Sequence, residues 1–490
     1  MSAAAQQTSI VIFGASGDLT YRKLIPALYN NFAKGRLSGD FNIVGMSRTP
    51  LSHDDFRTKM REGCEKFAPT QFKADKWDEF ATHIYYVPAD AGDAESMGHA
   101  EAGLLEIEGS ESANRLYYLS VAPNLYTVII ANLQKHEMQL ENGGWRRVII
   151  EKPFGTDLAS AQELNKATHA VFDEHQVYRI DHYLGKETAQ NILFMRFANA
   201  IFEPVWNRNY IDNVQINVAE SVDVGHRASF YDSAGIMRDM FQNHLLQLLT
   251  LVAMEPPSSF EATALRNEKV KVLRSIRIPK MEDTFRAQYE GYRQADGVAA
   301  NSQTATFAAL KLSIDNWRWE GVPFYLRSGK ALNSKESEII IEFKCPPHVM
   351  LRLEDTSDFQ PNIMSMCIQP DEGIHLQIQA KVPDHSAMMP VSMEFHYETS
   401  FKGQNIPEAY ERLLLDALHG DAALFNRSDE IEAAWGIIDP VIQGWELDHD
   451  APPLLFYPTN TEGPAEIHQF IAASGDVWRP GCVHDTPVKE

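Results

Sequence analysis

Within six residues, Asp181-His182-Tyr183-Leu184-Gly185-Lys186 gathers a carboxylate, an imidazole, a phenol and an ammonium. His182, Tyr183 and Lys186 are donors suited to a phosphate; a carboxylate repels one, so Asp181 needs another task. A second candidate is His244, in the run Asp239-Met240-Phe241-Gln242-Asn243-His244. At α-helical spacing it shares a face with Met240, Leu248 and Leu251. Two readings follow. His244 is a satisfied core histidine, or it is a general base held by a carboxylate that fixes its tautomer and stabilises the imidazolium. Spacing alone does not bring Asp181 to His244.

Three further strings bear on a nucleotide. Ile10-Val11-Ile12-Phe13 reads as a buried strand running into Gly14-Ala15-Ser16-Gly17-Asp18-Leu19. A glycine turn between a first strand and a helix aims backbone N–H groups at a pyrophosphate, though the spacing GxxGDL departs from GxGxxG and an ordinary strand–helix turn remains open. The second strand ends in Ser47-Arg48-Thr49. A dinucleotide site for NAD carries an acidic residue there; a guanidinium with hydroxyls suits a 2′-phosphate instead, unless Arg48 is a solvated surface residue. Lys152 follows the apolar run Val148-Ile149-Ile150. At the carboxyl end of a parallel strand it points to the ligand crevice; the alternative is a surface lysine at a strand exit.

These residues need a particular scaffold. Apolar runs at Ser9–Phe13, Asn42–Met46, Ile84–Val87, Arg115–Val121, Arg147–Ile150 and Val177–Ile180 are separated by helix-like stretches such as Tyr21–Phe32, Leu125–His136 and Leu158–Phe172. That pattern predicts βαβ units and a parallel sheet. Pro26 falls inside the first helix, which must kink or begin late. From about Ile211 the strands alternate (Val214–Val218, Ser337–Phe343, His375–Lys381, Val391–Tyr397), with a helical run Ala234–Met254 among them. The fold class expected is an α/β Rossmann-type coenzyme domain, residues 1–181, followed by a large α+β domain on a mainly antiparallel sheet, residues 182–490. The end, Pro480–Glu490, reads as a loose tail.

Composition narrows the function. The chain has 490 residues and a net charge of −23, which disfavours nucleic acid and anionic membrane as partners. Cys64, Cys345, Cys367 and Cys482 are too few and scattered for a disulfide framework, and none forms a CxxC pair. No metal, a reducing compartment and a cytoplasmic protein are therefore expected. The N-terminus lacks a secretory pattern, and the most apolar helical run, Leu245–Met254, is too short to span a membrane.

The strings GASGDL, EKPFG, RIDHYLGKE, AGIMRDMFQNHLLQLLTLVAM and VPFYLRSGKAL resemble, in order, those of glucose-6-phosphate dehydrogenase. The resemblance implies a Rossmann-type domain and a β+α domain with the active site between them. It implies oxidation of glucose 6-phosphate at its anomeric carbon to 6-phosphogluconolactone, with NADP reduced and NAD at most a weaker alternative. It assigns His244 as general base, Asp181 as its carboxylate partner, and Lys152 as a contact of both substrate and coenzyme, followed by a cis proline, Pro153. It gives His182, Tyr183 and Lys186 to the sugar phosphate, and Glu220, Asp239, Lys330, Lys335 and Gln369 to the substrate. It gives Gly14, Ser16, Gly17, Asp18, Leu19 and Arg48 to the coenzyme. A homodimer or homotetramer through the large sheet follows by analogy.

Two departures stand out. Lys335 occupies a position that is Arg in many family members, which keeps charge but loses the planar fork. Some members hold a second, structural NADP on basic residues; the matching positions here are Glu336, Ile340 and Cys367, so that site is expected to be absent. Two other classes compete. Sugar oxidoreductases of the glucose–fructose oxidoreductase and inositol dehydrogenase group share the Rossmann domain and an EKP string, but typically carry a GxG-type loop and a DxxxH helix. A non-catalytic NADP-binding regulator would be expected to lose the base, its carboxylate or the phosphate grip; His244, Asp181, Lys152 and Lys186 are all present.

Overall fold

The computed structural model describes residues 6–37, 40–110, 112–348, 360–385, 387–402, 406–447 and 450–482. Strands run in chain order as β1 (Thr8–Phe13), β2 (Phe41–Ser47), β3 (Ile84–Pro88), β4 (Asn114–Leu119), β5 (Arg146–Ile150), β6 (Val177–Ile180), β7 (Ile211–Ala219), β8 (Thr284–Tyr289), β9 (Phe307–Leu312), β10 (Phe324–Gly329), β11 (Glu336–Phe343), β12 (Ile363–Gln369), β13 (Gly373–Lys381), β14 (Met388–His396), β15 (Phe425–Asn426) and β16 (Leu455–Tyr457). The chain forms two compact units. The first comprises Met1–Gly185, Pro257–Arg266 and Pro407–Glu432; the second takes Lys186–Pro256, Asn267–Ile406 and Ala433–Glu490.

In the first unit a seven-stranded sheet has the order β15-β6-β5-β4-β1-β2-β3. It is parallel except for β15, which pairs antiparallel with β6. Strands β1, β2 and β4 are buried almost throughout, as a sheet covered on both faces by helices requires. The sequence placed the division after Asp181; the packing adds two later segments to this unit. The segment Pro407–Glu432 is held by polar contacts no periodicity reveals: Asn31 and Lys34 bond Glu411, and Arg147 donates to the carbonyls of Ala417 and Leu418. The difficulty at Pro26 resolves locally. A wide π turn, Thr20–Leu24, precedes the α-helix Ile25–Ala33, so Pro26 sits in that helix's first turn, where a missing N–H costs little.

The second unit holds a nine-stranded sheet, β14-β13-β12-β11-β7-β10-β9-β8-β16. Its pairs are antiparallel except β7–β10 and β8–β16. The expected helix Ala234–Met254 is instead three pieces. Ala228–Ile236 breaks at Gly235, with φ 64° and ψ 173°, and a π-helical stretch, Met237–Leu245, leads into the α-helix Leu246–Ala253. Of the expected tail Pro480–Glu490, residues 483–490 lie outside the described residues; Arg479, just before it, pairs with Glu342, and Cys482 is disulfide-bonded to Cys367 across 115 residues. No spacing rule exposes that pairing.

Candidate functional site

In the first unit the candidates leave the carboxyl ends of parallel strands: Gly14 after β1, Arg48 after β2, Lys152 after β5 and Asp181 after β6. The order places β1 beside β4 at the reversal of the sheet, the ligand position in such folds. Gly14 has φ 77°, and a Cβ there would lie 2.0 Å from the Ser120 carbonyl oxygen. Only glycine permits this approach. The Gly14 amide donates to Met46 O at 2.8 Å and the Gly17 amide to Gly14 O at 2.9 Å, which closes the turn. Asp18 is exposed and paired with Arg22; Leu19 is half-buried.

A hydroxyl network ties the loop to the end of β2. Ser47 Oγ donates to Ser16 Oγ at 2.9 Å, and Tyr86 Oη lies 2.6 Å from Ser47 Oγ and donates to Thr49 O at 2.6 Å. Lys59 Nζ donates to the Ser16 carbonyl at 2.7 Å. Arg48 stands exposed beside this network, with no ion pair among the described residues. Such a cradle and such a cation fit the pyrophosphate and ribose end of a dinucleotide. Lys59 and Tyr86 carry no local sequence signal for this network, because each reaches it from a different element of the fold.

Beneath Lys152 lies a buried carboxyl. Tyr118 and Tyr410 both donate to Glu151 Oε1, the latter at 3.0 Å, and Tyr126 donates to the Glu151 carbonyl at 3.0 Å. Burial of the carboxyl raises the Glu151 pKa against the Tyr118 and Tyr410 bonds, which lower it. The Lys152–Pro153 bond is cis. Asp181 is 1% exposed, and its Oδ1 accepts from the Tyr183 amide at 3.0 Å. The His182 and Tyr183 rings meet edge to face, 5.1 Å apart, with His182 half-buried and Tyr183 buried. Gly185 is needed for close packing: a Cβ there would lie 2.8 Å from Ala409 O.

In the second unit, Lys186 Nζ donates to Gln369 Oε1 at 2.6 Å. Gln369 Nε2 donates to Ser337 Oγ at 3.0 Å, and Thr188 holds Ile368 O at 3.0 Å. Glu220 and Lys330 each follow a strand whose last residues, Ala219 and Gly329, are partners in the parallel β7–β10 pair. Both side chains therefore emerge at one level. Lys330 Nζ donates to Glu220 Oε2 at 2.5 Å and lies 3.0 Å from Asp239 Oδ2. Burial disfavours its charge, but Asp239 and Glu220 outweigh burial and raise its pKa. Lys335 is exposed in the loop before β11. His244 is 1% exposed and lies in the π-helical stretch. In a π turn, as in an α turn, residues four apart stay on one face, and Met240 and His244 are both buried; π turns of this kind recur at functional sites.

A parallel sheet with a glycine cradle at its reversal, joined to an antiparallel unit carrying a buried histidine and carboxylate–ammonium groups, defines a nicotinamide-dependent dehydrogenase. Family models described as glucose-6-phosphate dehydrogenase, NAD binding domain, and glucose-6-phosphate dehydrogenase, C-terminal domain, match residues 11–191 and 193–479. A glucose-6-phosphate 1-dehydrogenase of Aggregatibacter actinomycetemcomitans is 44% identical, over 97% of this chain and 98% of its own. A solved glucose-6-phosphate dehydrogenase in complex with glucose 6-phosphate superposes with a TM-score of 0.90 at 35% identity, over 98% of this chain and 100% of that one. The Mycobacterium avium glucose-6-phosphate 1-dehydrogenase gives 0.86 at 33%, over 98% and 99%. The chain belongs to the glucose-6-phosphate dehydrogenase family, and its activity is the oxidation of glucose 6-phosphate with a nicotinamide coenzyme.

Proposed function

We propose that the chain oxidises glucose 6-phosphate to 6-phosphoglucono-1,5-lactone with NADP as the preferred acceptor and NAD as a weaker one, and that His244 is the general base. The observation that carries this reading is the whole-length likeness to a dehydrogenase solved with glucose 6-phosphate. Gly14, Ser16, Gly17, Asp18 and Leu19 hold the coenzyme phosphates, and Arg48 holds the 2′-phosphate. The coenzyme, when bound, supplies the hydride acceptor. Lys152 touches coenzyme and sugar, over the tyrosine-held Glu151 that fixes its strand end.

His182, Tyr183 and Lys186 grip the sugar phosphate, with Gln369 and Lys335 adding donors. This local gathering of cations lets an acidic chain collect a dianion. Glu220, Asp239 and Lys330 meet the sugar hydroxyls; each carboxylate has lone pairs to spare beyond its Lys330 contact. His244 takes the proton of the anomeric hydroxyl as hydride leaves that carbon, and Asp181 stabilises the imidazolium. Phosphate binding, remote from the reacting carbon, positions it. The reaction needs no metal.

The net charge of −23 supports a protein that leaves nucleic acid and membrane alone. Among the described residues no helix is long and apolar enough to cross a membrane. Exposed Met389 and Met393 on β14 support a homodimer or homotetramer through the large sheet. Nicotinamide absorbance, followed with glucose 6-phosphate or glucose and with each coenzyme, tests the proposal. It stands if glucose 6-phosphate with NADP is strongly preferred, and falls if unphosphorylated sugar serves equally.

A further inference from the structure

One face of the β12–β13–β14 ribbon gathers metal-ligating side chains that the proposed reaction does not use. Cys367 on β12 and His375 on β13 share that face, since His375 pairs with Ser365, two residues from Cys367. Cys482 arrives from the C-terminal segment, with a Cα–Cα separation of 6.1 Å from Cys367. The Sγ atoms of Cys367 and Cys482 and a ring nitrogen of His375 all lie within 4.8 Å of one another. His375 Nδ1 is 3.9 Å from Glu394 on β14, and the His375 and His396 rings are 5.0 Å apart. His396 in turn lies 3.4 Å from Asp371 and 3.4 Å from Glu394.

The segment carrying Cys482 is seated independently of the sulfur bond. The Cys482 amide donates to Glu338 Oε2 at 2.9 Å, and Arg479 donates to both oxygens of Glu342 at 2.7 and 2.6 Å. The Gln215 carboxamide bonds Val477 O at 2.9 Å. Gly481 passes so close that a Cβ there would overlap the Glu338 carboxylate. Reduction of the disulfide therefore leaves two thiols facing each other beside an imidazole.

We propose that Cys367, Cys482 and His375 form a binding site for a zinc-class divalent cation when the disulfide is reduced, with His396 or water as fourth ligand. A dithiol reductant gives two electrons and two protons to the sulfur–sulfur bond and leaves as its own disulfide. The cation then displaces one proton from each thiol to solvent and binds two thiolates and a neutral imidazole nitrogen. Tetrahedral zinc, with Zn–S near ~2.3 Å and Zn–N near ~2.0 Å, needs ligand atoms about 3.5–3.8 Å apart. The observed spread reaches that by side-chain rotation, with Cys367 and His375 held on strands and Cys482 on the adjustable segment. The C-terminal segment is thus fastened to the sheet by sulfur–sulfur bonding under oxidising conditions and by metal under reducing ones.

The test uses the full chain, reduced with a phosphine and freed of metal. Cobalt(II) is titrated as a spectroscopic probe and then displaced with zinc(II). The expected result is one equivalent bound with a thiolate-to-cobalt charge-transfer band, released by zinc. The band should be lost in Cys482→Ser, retained in Cys345→Ser, and the affinity reduced at least about tenfold in His375→Ala. Dehydrogenase activity of each sample certifies its fold. No charge-transfer band in active, reduced protein overturns the proposal, as does a band that survives Cys482→Ser.

Discussion

The Lys186 ammonium donates to the Gln369 carboxamide oxygen at 2.6 Å, joining two candidate substrate ligands 183 residues apart. The bond holds the long lysine side chain in one position before any substrate arrives. Lys186→Ala should therefore weaken use of glucose 6-phosphate far more than use of glucose. A charge-assisted phosphate contact contributes ~1.5–3 kcal/mol, or roughly 10- to 150-fold in kcat/KM. Steady-state assays with both sugars check this; an equal loss for the two would assign Lys186 another role.

Arg48 is exposed at the end of β2 beside the Ser16–Ser47 network. Arg48→Ala should raise the KM for NADP, leave NAD use much less affected, and change relative preference by ~10- to 100-fold. Turnover should change less than KM, since the contact is present in ground and transition states alike. Parallel losses for the two coenzymes would contradict the assignment.

Glu151 is half-buried and accepts from two tyrosines, one of them Tyr410 in the late segment of the first unit. Tyr410→Phe removes a donor from a carboxyl that burial already disfavours as an anion. The expected loss is about 0.5–1.5 kcal/mol of unfolding free energy in urea, the net worth of one hydrogen bond, since Tyr118 still serves the same oxygen. An unchanged midpoint would show that the bond contributes nothing.

Asp416 bears on pH dependence. Burial raises its pKa to about 6, against the lowering effect of Arg412. A carboxyl whose folded pKa is raised binds its proton more tightly in the folded state. Its contribution is therefore full below the ordinary carboxylate range and is lost as pH rises through about 6. Asp416→Asn should flatten the fall in urea stability across that window relative to the unaltered chain. Identical pH profiles would refute this.

The parallel sheet was legible because buried strands carry continuous apolar runs, and β1 to β6 fall where those runs lie. The antiparallel strands were legible from alternation. What escaped was set by contacts distant in sequence. Glu411 and Arg147 draw the segment around 407–432 into the first unit, and no local pattern announces this. The π-helical stretch at Met237–Leu245 is invisible to a 3.6-residue spacing, which predicts one continuous α-helix over Ala234–Met254. Of the candidate residues, Lys186 with Gln369, and Lys330 with Glu220 and Asp239, are brought together within the second unit. Their grouping came from resemblance to a family, not from spacing.

Whether His244 is the base or a core histidine decides the proposed chemistry. His244→Asn keeps a polar side chain of similar size, so pre-steady-state and steady-state rates with glucose 6-phosphate and NADP measure its chemistry directly. A base at this position predicts a turnover lower by ~10²–10⁴ with the dissociation constant for glucose 6-phosphate roughly unchanged. A variant that binds and turns over like the unaltered chain would contradict it.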